Sequence, residues 1–95
     1  MVVTVLEAMV APERAADLEA AYRSAEKELP PGFVRSDLLW AANEPTRWRI
    51  QTLWASRAAL SAMQSAGTPA GVMMFRAAGA EPTLTIFEVI ATIGG

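Results

Sequence analysis

The stretch that decides the fold runs from Pro30-Pro31-Gly32-Phe33 to Trp54-Ala55-Ser56-Arg57. The paired prolines and Gly32 stop a helix, because proline lacks the N–H that a helix needs and glycine tolerates the turn that ends one. Phe33 to Ala42 then reads as a strand. Asn43-Glu44-Pro45-Thr46 reverses the chain with turn-forming residues. Arg47 to Trp54 reads as a second strand, antiparallel to the one before it. Trp48, Ile50, Thr52 and Trp54 share one face of it, and Arg47, Arg49, Gln51 and Leu53 the other. Ser56 is positioned to cap a helix that carries Ala59, Leu60 and Met63.

Upstream, residues 2–10 are rich in β-branched side chains and predict a strand. Val3, Val5, Glu7 and Met9 share one face, and Val2, Thr4, Leu6, Ala8 and Val10 the other. Ala11-Pro12-Glu13 opens a helix, with proline in the first turn and a carboxylate at the positive end of the dipole. Ala15, Leu18, Tyr22, Ala25 and Leu29 recur at spacings of three and four and form its apolar stripe. Downstream, Gly67-Thr68-Pro69 interrupts the second helix, and a short helix holds Val72, Met73, Phe75 and Arg76. Gly79-Ala80-Glu81-Pro82 leads into a last strand from Thr83 to about Ala91.

The order is therefore βαββαβ. Short connections and right-handed crossovers turn it into an α+β, ferredoxin-like domain, a four-stranded antiparallel sheet with helices on one face. Residues 1–95 are read as one such domain. The first and last strands are apolar on both faces, whereas helices cover one. A second copy packed on the bare face would close a dimeric α+β barrel, so a homodimer through the open sheet face is expected.

Composition agrees. A chain of 95 residues buries only roughly 60–70 % of its unfolded surface. Yet 53 % of its residues are hydrophobic and its mean hydropathy is +0.25. That excess suits a partner surface. The net charge of −2 disfavours nucleic acid. There is no cysteine and no histidine, which excludes disulfides, thiolate catalysis, Fe–S clusters and every triad that uses histidine. No metal site is expected. The first residues read as a strand and not as a signal peptide, and no apolar run approaches the ~20 residues that cross a bilayer. A cytoplasmic location is the default.

The opening strand with its Pro12 helix, Pro31-Gly32-Phe33, Asn43-Glu44-Pro45, Trp54-Ala55-Ser56-Arg57-Ala58-Ala59-Leu60 and the Gly79-Ala80-Glu81-Pro82 tail occur in an order that resembles the antibiotic biosynthesis monooxygenase domains of the dimeric α+β barrel superfamily. The resemblance covers nearly the whole chain. It implies a dimer with a pocket between sheet and helices in each subunit. It also implies oxidation of hydroquinones, anthrones or related aromatic polyketides with O2, in several members without metal or organic cofactor. Family enzymes often carry a histidine where this chain has Met63, with further histidines in the next short helix. Haem-degrading members use an asparagine on strand 1, a tryptophan near the Met63 position and a histidine ligand. None of these stands here.

The candidate ligand pocket comprises Tyr22, Trp54, Met63, Met73 and Phe75. Trp54 offers a flat wall for an aromatic ring, or else packs the helix start against the sheet. Met63, Met73, Met74 and Phe75 offer a soft apolar wall, or else plain core. Tyr22 offers a hydroxyl. Trp40 and Trp48 suit a cavity or an interface. Arg35 and Arg49 are candidate anion stabilisers for a phenolate or peroxide, with a cross-strand ion-pair network among Arg35, Asp37, Arg49 and Gln51 as the structural alternative. Glu7 and Glu88, if buried together, would make a raised-pKa base; otherwise each pairs with an arginine. The expected function is cofactor-independent oxygenation of a quinol, anthrone or polyketide-like aromatic. The alternative is a ligand-binding or structural dimer without catalysis.

Overall fold

A computed structural model describes residues 1–94. The strands are β1 (Val2–Met9), β2 (Phe33–Ala41), β3 (Glu44–Trp54) and β4 (Thr83–Glu88). The helices are α1 (Ala15–Ser24), flanked by 3-10 turns at Pro12–Arg14 and Ala25–Lys27, α2 (Arg57–Ser65) and α3 (Ala70–Ala77). The sheet order is β2-β3-β1-β4 with every neighbouring pair antiparallel. This is the ferredoxin-like arrangement.

Three boundaries differ from the sequence reading. The hairpin loop is only Ala42-Asn43, and Glu44, Pro45 and Thr46 belong to β3. Glu44 pairs with Ala41, and the Thr46 carbonyl accepts the Val10 N–H at 2.8 Å. The β2–β3 register shifts between Trp40 and Ala41, and such an irregularity accommodates the missing N–H of Pro45. The last strand ends at Glu88 and not near Ala91, because Glu88 already pairs with Val2 at the start of β1. Among the described residues only the Val89 N–H reaches further, to the Met1 carbonyl at 3.0 Å. The first helix loosens into a 3-10 turn at Ala25, and Leu29, the last residue of the predicted stripe, is exposed.

One face of the sheet carries the helices. Val2, Leu6, Trp48, Ile50 and Trp54 are buried there. Two core clusters form. One joins Leu6, Val10, Trp48 and Ile50 of the sheet region to Leu18 of α1 and to Phe75 and Ala78 of the α3 region. The other joins Val2, Trp54 and Leu60, with Phe33, Met63 and Ile86 packed against it. Ser56 caps α2, its Oγ accepting the Ala59 N–H at 3.1 Å. Arg14 Nη2 donates to the Ala77 carbonyl at 2.6 Å, holding the end of α3 beside α1.

The register puts Val3, Val5, Glu7, Leu39, Arg49, Leu53 and Phe87 on the opposite face, where no helix lies. On the helix-bearing face, Trp40 at the sheet edge is exposed and meets its register partner, the buried Trp48, at 5.5 Å between ring centroids. No helix among the described residues is long and apolar enough to cross a membrane.

Candidate functional site

Between the two core clusters, sheet and helices part to leave a cavity of about 500 Å³. Tyr22 from α1, Val72 and Met74 from α3, and Leu6 and Ile50 from the sheet bound one side. Phe33, Trp54 and Met63 bound the other. Arg23, Glu26, Leu29, Pro30, Gln64 and Pro69 frame the rest. Beside this space Gly71 lets α3 approach the sheet closely: a Cβ there would come within 2.6 Å of Leu6 Cδ1.

The wall at Trp54 is rigid. Its ring is 4 % exposed, Phe33 meets it edge-on at 6.0 Å between centroids, and its Nε1 donates to Thr4 Oγ1 at 3.1 Å. The floor between the clusters is polar. On β1, Thr4 lies between Val2 and Leu6. On β3, Thr52 lies between Ile50 and Trp54. Thr4 and Thr52 are register partners, as are Thr52 and Ser36, so three hydroxyls stand in a row across three strands. The Thr52 and Ser36 hydroxyls are hydrogen-bonded, Oγ1 to Oγ, at 3.1 Å.

The residues singled out from the sequence divide cleanly. Tyr22, Trp54 and Met63 converge on the cavity. Met73 and Phe75 do not line it: Met73 points to solvent at 53 % exposure, and Phe75 is wholly buried in the core against α1. The helical phase of α3 instead turns Gly71, Val72 and Met74 to the cavity. Arg35 reaches the cavity edge, but its guanidinium pairs with Asp37 at 3.0 Å, which also raises its pKa. Arg49 is on the far face of the sheet, bound to Glu7 at 2.9 Å, and is not a cavity residue. Glu7 on β1 and Glu88 on β4 lie at opposite ends of the β1–β4 pair, Glu7 opposite Thr83 and bound to Arg49, Glu88 opposite Val2 and bound to Arg57 at 3.4 Å. They form no carboxylate pair.

Met74, read with Met63, Met73 and Phe75 as part of a soft apolar wall, does line the cavity, whereas Thr4, Ser36 and Thr52 are lining residues that sequence reasoning did not single out. A signal existed for two of these three hydroxyl residues, since Thr4 and Thr52 each interrupt an alternating apolar face.

The family model for antibiotic biosynthesis monooxygenase matches residues 1–68. The chain belongs to that family. The matched span takes in β1, α1, β2, β3 and α2 and so includes both Trp54 and the hydroxyl row. Among solved structures, this antibiotic biosynthesis monooxygenase family member is similar to SnoaB, a cofactor-independent oxygenase from Streptomyces nogalater. The identity is 18 %, with 99 % of this chain and 97 % of that chain covered and a TM-score of 0.73. It is also similar to the haem-degrader MhuD from Mycobacterium tuberculosis, solved with two haems bound in its active site. There the identity is 27 %, with 99 % and 100 % covered and a TM-score of 0.71. A conserved protein from Methanosarcina mazei Go1 shares 15 % identity over 90 % of this chain and 89 % of that one, with a TM-score of 0.72. No curated protein matches the sequence.

Proposed function

We propose that the protein is a cofactor-independent monooxygenase that takes an anthrone, quinol or polyketide-like aromatic into the cavity between sheet and helices. The observation that carries this reading is the cavity itself. It has room for a fused ring system, aromatic and thioether walls from Phe33, Trp54, Met63 and Met74, and a narrow polar floor. Family membership supplies the reaction class.

The chemistry suits a chain without histidine or cysteine. An anthrone or hydroquinone enters as its anion, and that electron-rich anion passes one electron to O2. The resulting radical and superoxide combine to form a C–O bond, and protonation gives a hydroperoxide. Loss of water then leaves a carbonyl. For an anthrone the balance is one CH2 and one O2 giving one C=O and one H2O, with all electrons drawn from substrate. The protein's part is to exclude bulk water, stack the ring and hold its oxygens.

A haem-degrading role like that of MhuD fits these residues poorly. Haem iron is most often held by histidine or by a cysteine thiolate, and the chain has neither. A non-catalytic ligand-binding dimer is the second reading, favoured by the same lack of histidine. Oxygen uptake by metal-free protein with a panel of hydroquinones and anthrones separates the two. Uptake that scales with protein is expected. Uptake at the no-protein rate across the panel moves the assignment to the binding module.

The same reading includes a homodimer. Leu39 and Phe87 are 41 % and 53 % exposed on the helix-free face, beside the partly buried Val3 and Leu53. A second sheet laid across this face would cover them. Light scattering at micromolar concentration is expected to give twice the 10.2 kDa chain mass; a monomer alone would contradict it.

A further inference from the structure

We propose that the row Thr4–Thr52–Ser36 is the recognition strip of the cavity, and that it selects fused-ring ligands bearing at least two oxygen acceptors over hydrocarbons or single phenols. This rests on the reading of the cavity as an aromatic-binding site.

Threonine is rare on a face that otherwise presents Val2, Leu6, Ile50 and Trp54, and both threonines are more than nine-tenths buried. A buried hydroxyl without a partner is unfavourable, so the direction of each bond matters. A hydroxyl has one proton to donate and two lone pairs to accept with. Thr4 Oγ1 accepts the indole N–H of Trp54, which is donor only, so the Thr4 proton remains. Thr52 and Ser36 share one hydrogen bond between their hydroxyls at 3.1 Å, and whichever of the two donates, the other keeps its proton. Among the described residues no side chain or carbonyl takes either one. The strip therefore presents two donors, one on Thr4 and one on the Thr52–Ser36 pair. Ile86, the β4 partner of Thr4, closes the row with an apolar side chain.

Thr52 stands one strand from Thr4 and Ser36 two strands from it. Adjacent strands lie about 4.8 Å apart, which separates the donors by roughly 5–10 Å. Each hydrogen bond spans about 2.8 Å. The strip thus suits oxygens several ångströms apart on one rigid ring system, the pattern of a hydroxylated anthrone or anthraquinone.

The test compares two probes of equal ring size, dihydroxyanthraquinone and anthracene, by quenching of tryptophan fluorescence. Wild type is expected to bind the quinone at least about tenfold more tightly. Thr4→Val and Ser36→Ala should each weaken quinone binding by about three- to tenfold and leave anthracene binding unchanged. Thr4→Ser, which restores the hydroxyl, should restore affinity, and the partly exposed edge position of Ser36 makes its alanine variant the safer folding control. If wild type binds both probes equally, or the variants lose both equally, the strip proposal is overturned and the cavity reading stands. If neither probe binds, the cavity reading is overturned and the strip with it.

Discussion

Replacing Trp54 by alanine is expected to lower the stability of the fold by about 3–5 kcal/mol, the largest effect of any change at the candidate site. The side chain is 4 % exposed and anchors the cluster of Val2 and Leu60. Its removal deletes a large apolar surface, the edge-on contact to Phe33 at 6.0 Å, and the donor to Thr4 at 3.1 Å. The aromatic pair alone accounts for about 0.5–1.5 kcal/mol beyond burial. For a domain of this size 1 kcal/mol shifts Tm by about 4–8 °C, so thermal unfolding should move down by at least about 12 °C. A shift under about 4 °C would mean that Trp54 is not the anchor of this cluster.

Trp54→Phe separates structure from function. It keeps a ring and most of the buried area but lacks Nε1, so Thr4 loses its donor. The expected stability loss is smaller, about 1–2 kcal/mol. If Trp54 also forms a ligand wall, protein-dependent oxygen uptake should survive in the phenylalanine variant and vanish in a folded alanine variant. Equal uptake in all three proteins would leave Trp54 a packing residue only.

How far the site could be read from sequence depends on whether it needed one element or several. The alternation over Arg47 to Trp54 is a property of one strand, and it sorts these residues into the two groups that the register shows, without saying which group meets the helices. Ser56 signals its cap locally, and the structure has that cap. Pro45 misled the hairpin boundary because proline reads as a turn, whereas here it sits at a shift in strand register. On α3, apolar residues surround the helix, so sequence alone does not say whether Met73 and Phe75 or Val72 and Met74 meet the cavity. The sheet and α1 decide that phase. Arg49 carried no signal of which face meets helices until Trp48 and Ile50 were seen packed beneath them. The hydroxyl row is the extreme case. Its members are 16 to 48 residues apart (4, 36 and 52), and only the register of three strands brings them side by side.

Gly32→Ala should destabilise the fold by about 2–5 kcal/mol, through two separable causes. Gly32 adopts a φ of +81°, where an L-residue with a Cβ costs about 1–2 kcal/mol. An added Cβ would also fall on the Cβ of Ala59 and lie 3.7 Å from its Cα. That neighbour is the short side chain of a helical residue, with no flexible end to move aside, so the overlap costs a further ~1–3 kcal/mol. The position is pinned from a third direction, because the Gly32 carbonyl accepts the Ala55 N–H at 2.8 Å. Gly32 is thus where the start of β2, the end of β3 and the first turn of α2 meet, and Phe33 beside it is the ring that braces Trp54. This explains physically why glycine precedes Phe33 in the Pro30-Pro31-Gly32-Phe33 stretch that ends the first helix. A double variant divides the two causes. Ala59→Gly alone should cost about 1 kcal/mol from helix propensity. Combined with Gly32→Ala it should cost less than the sum of the single changes, since the overlap is gone while the positive φ persists. Urea denaturation of the four proteins measures this coupling. Strict additivity would mean that α2 moves freely away from the turn, and that close packing of Gly32 against Ala59 does not hold the Trp54 side of the cavity in place.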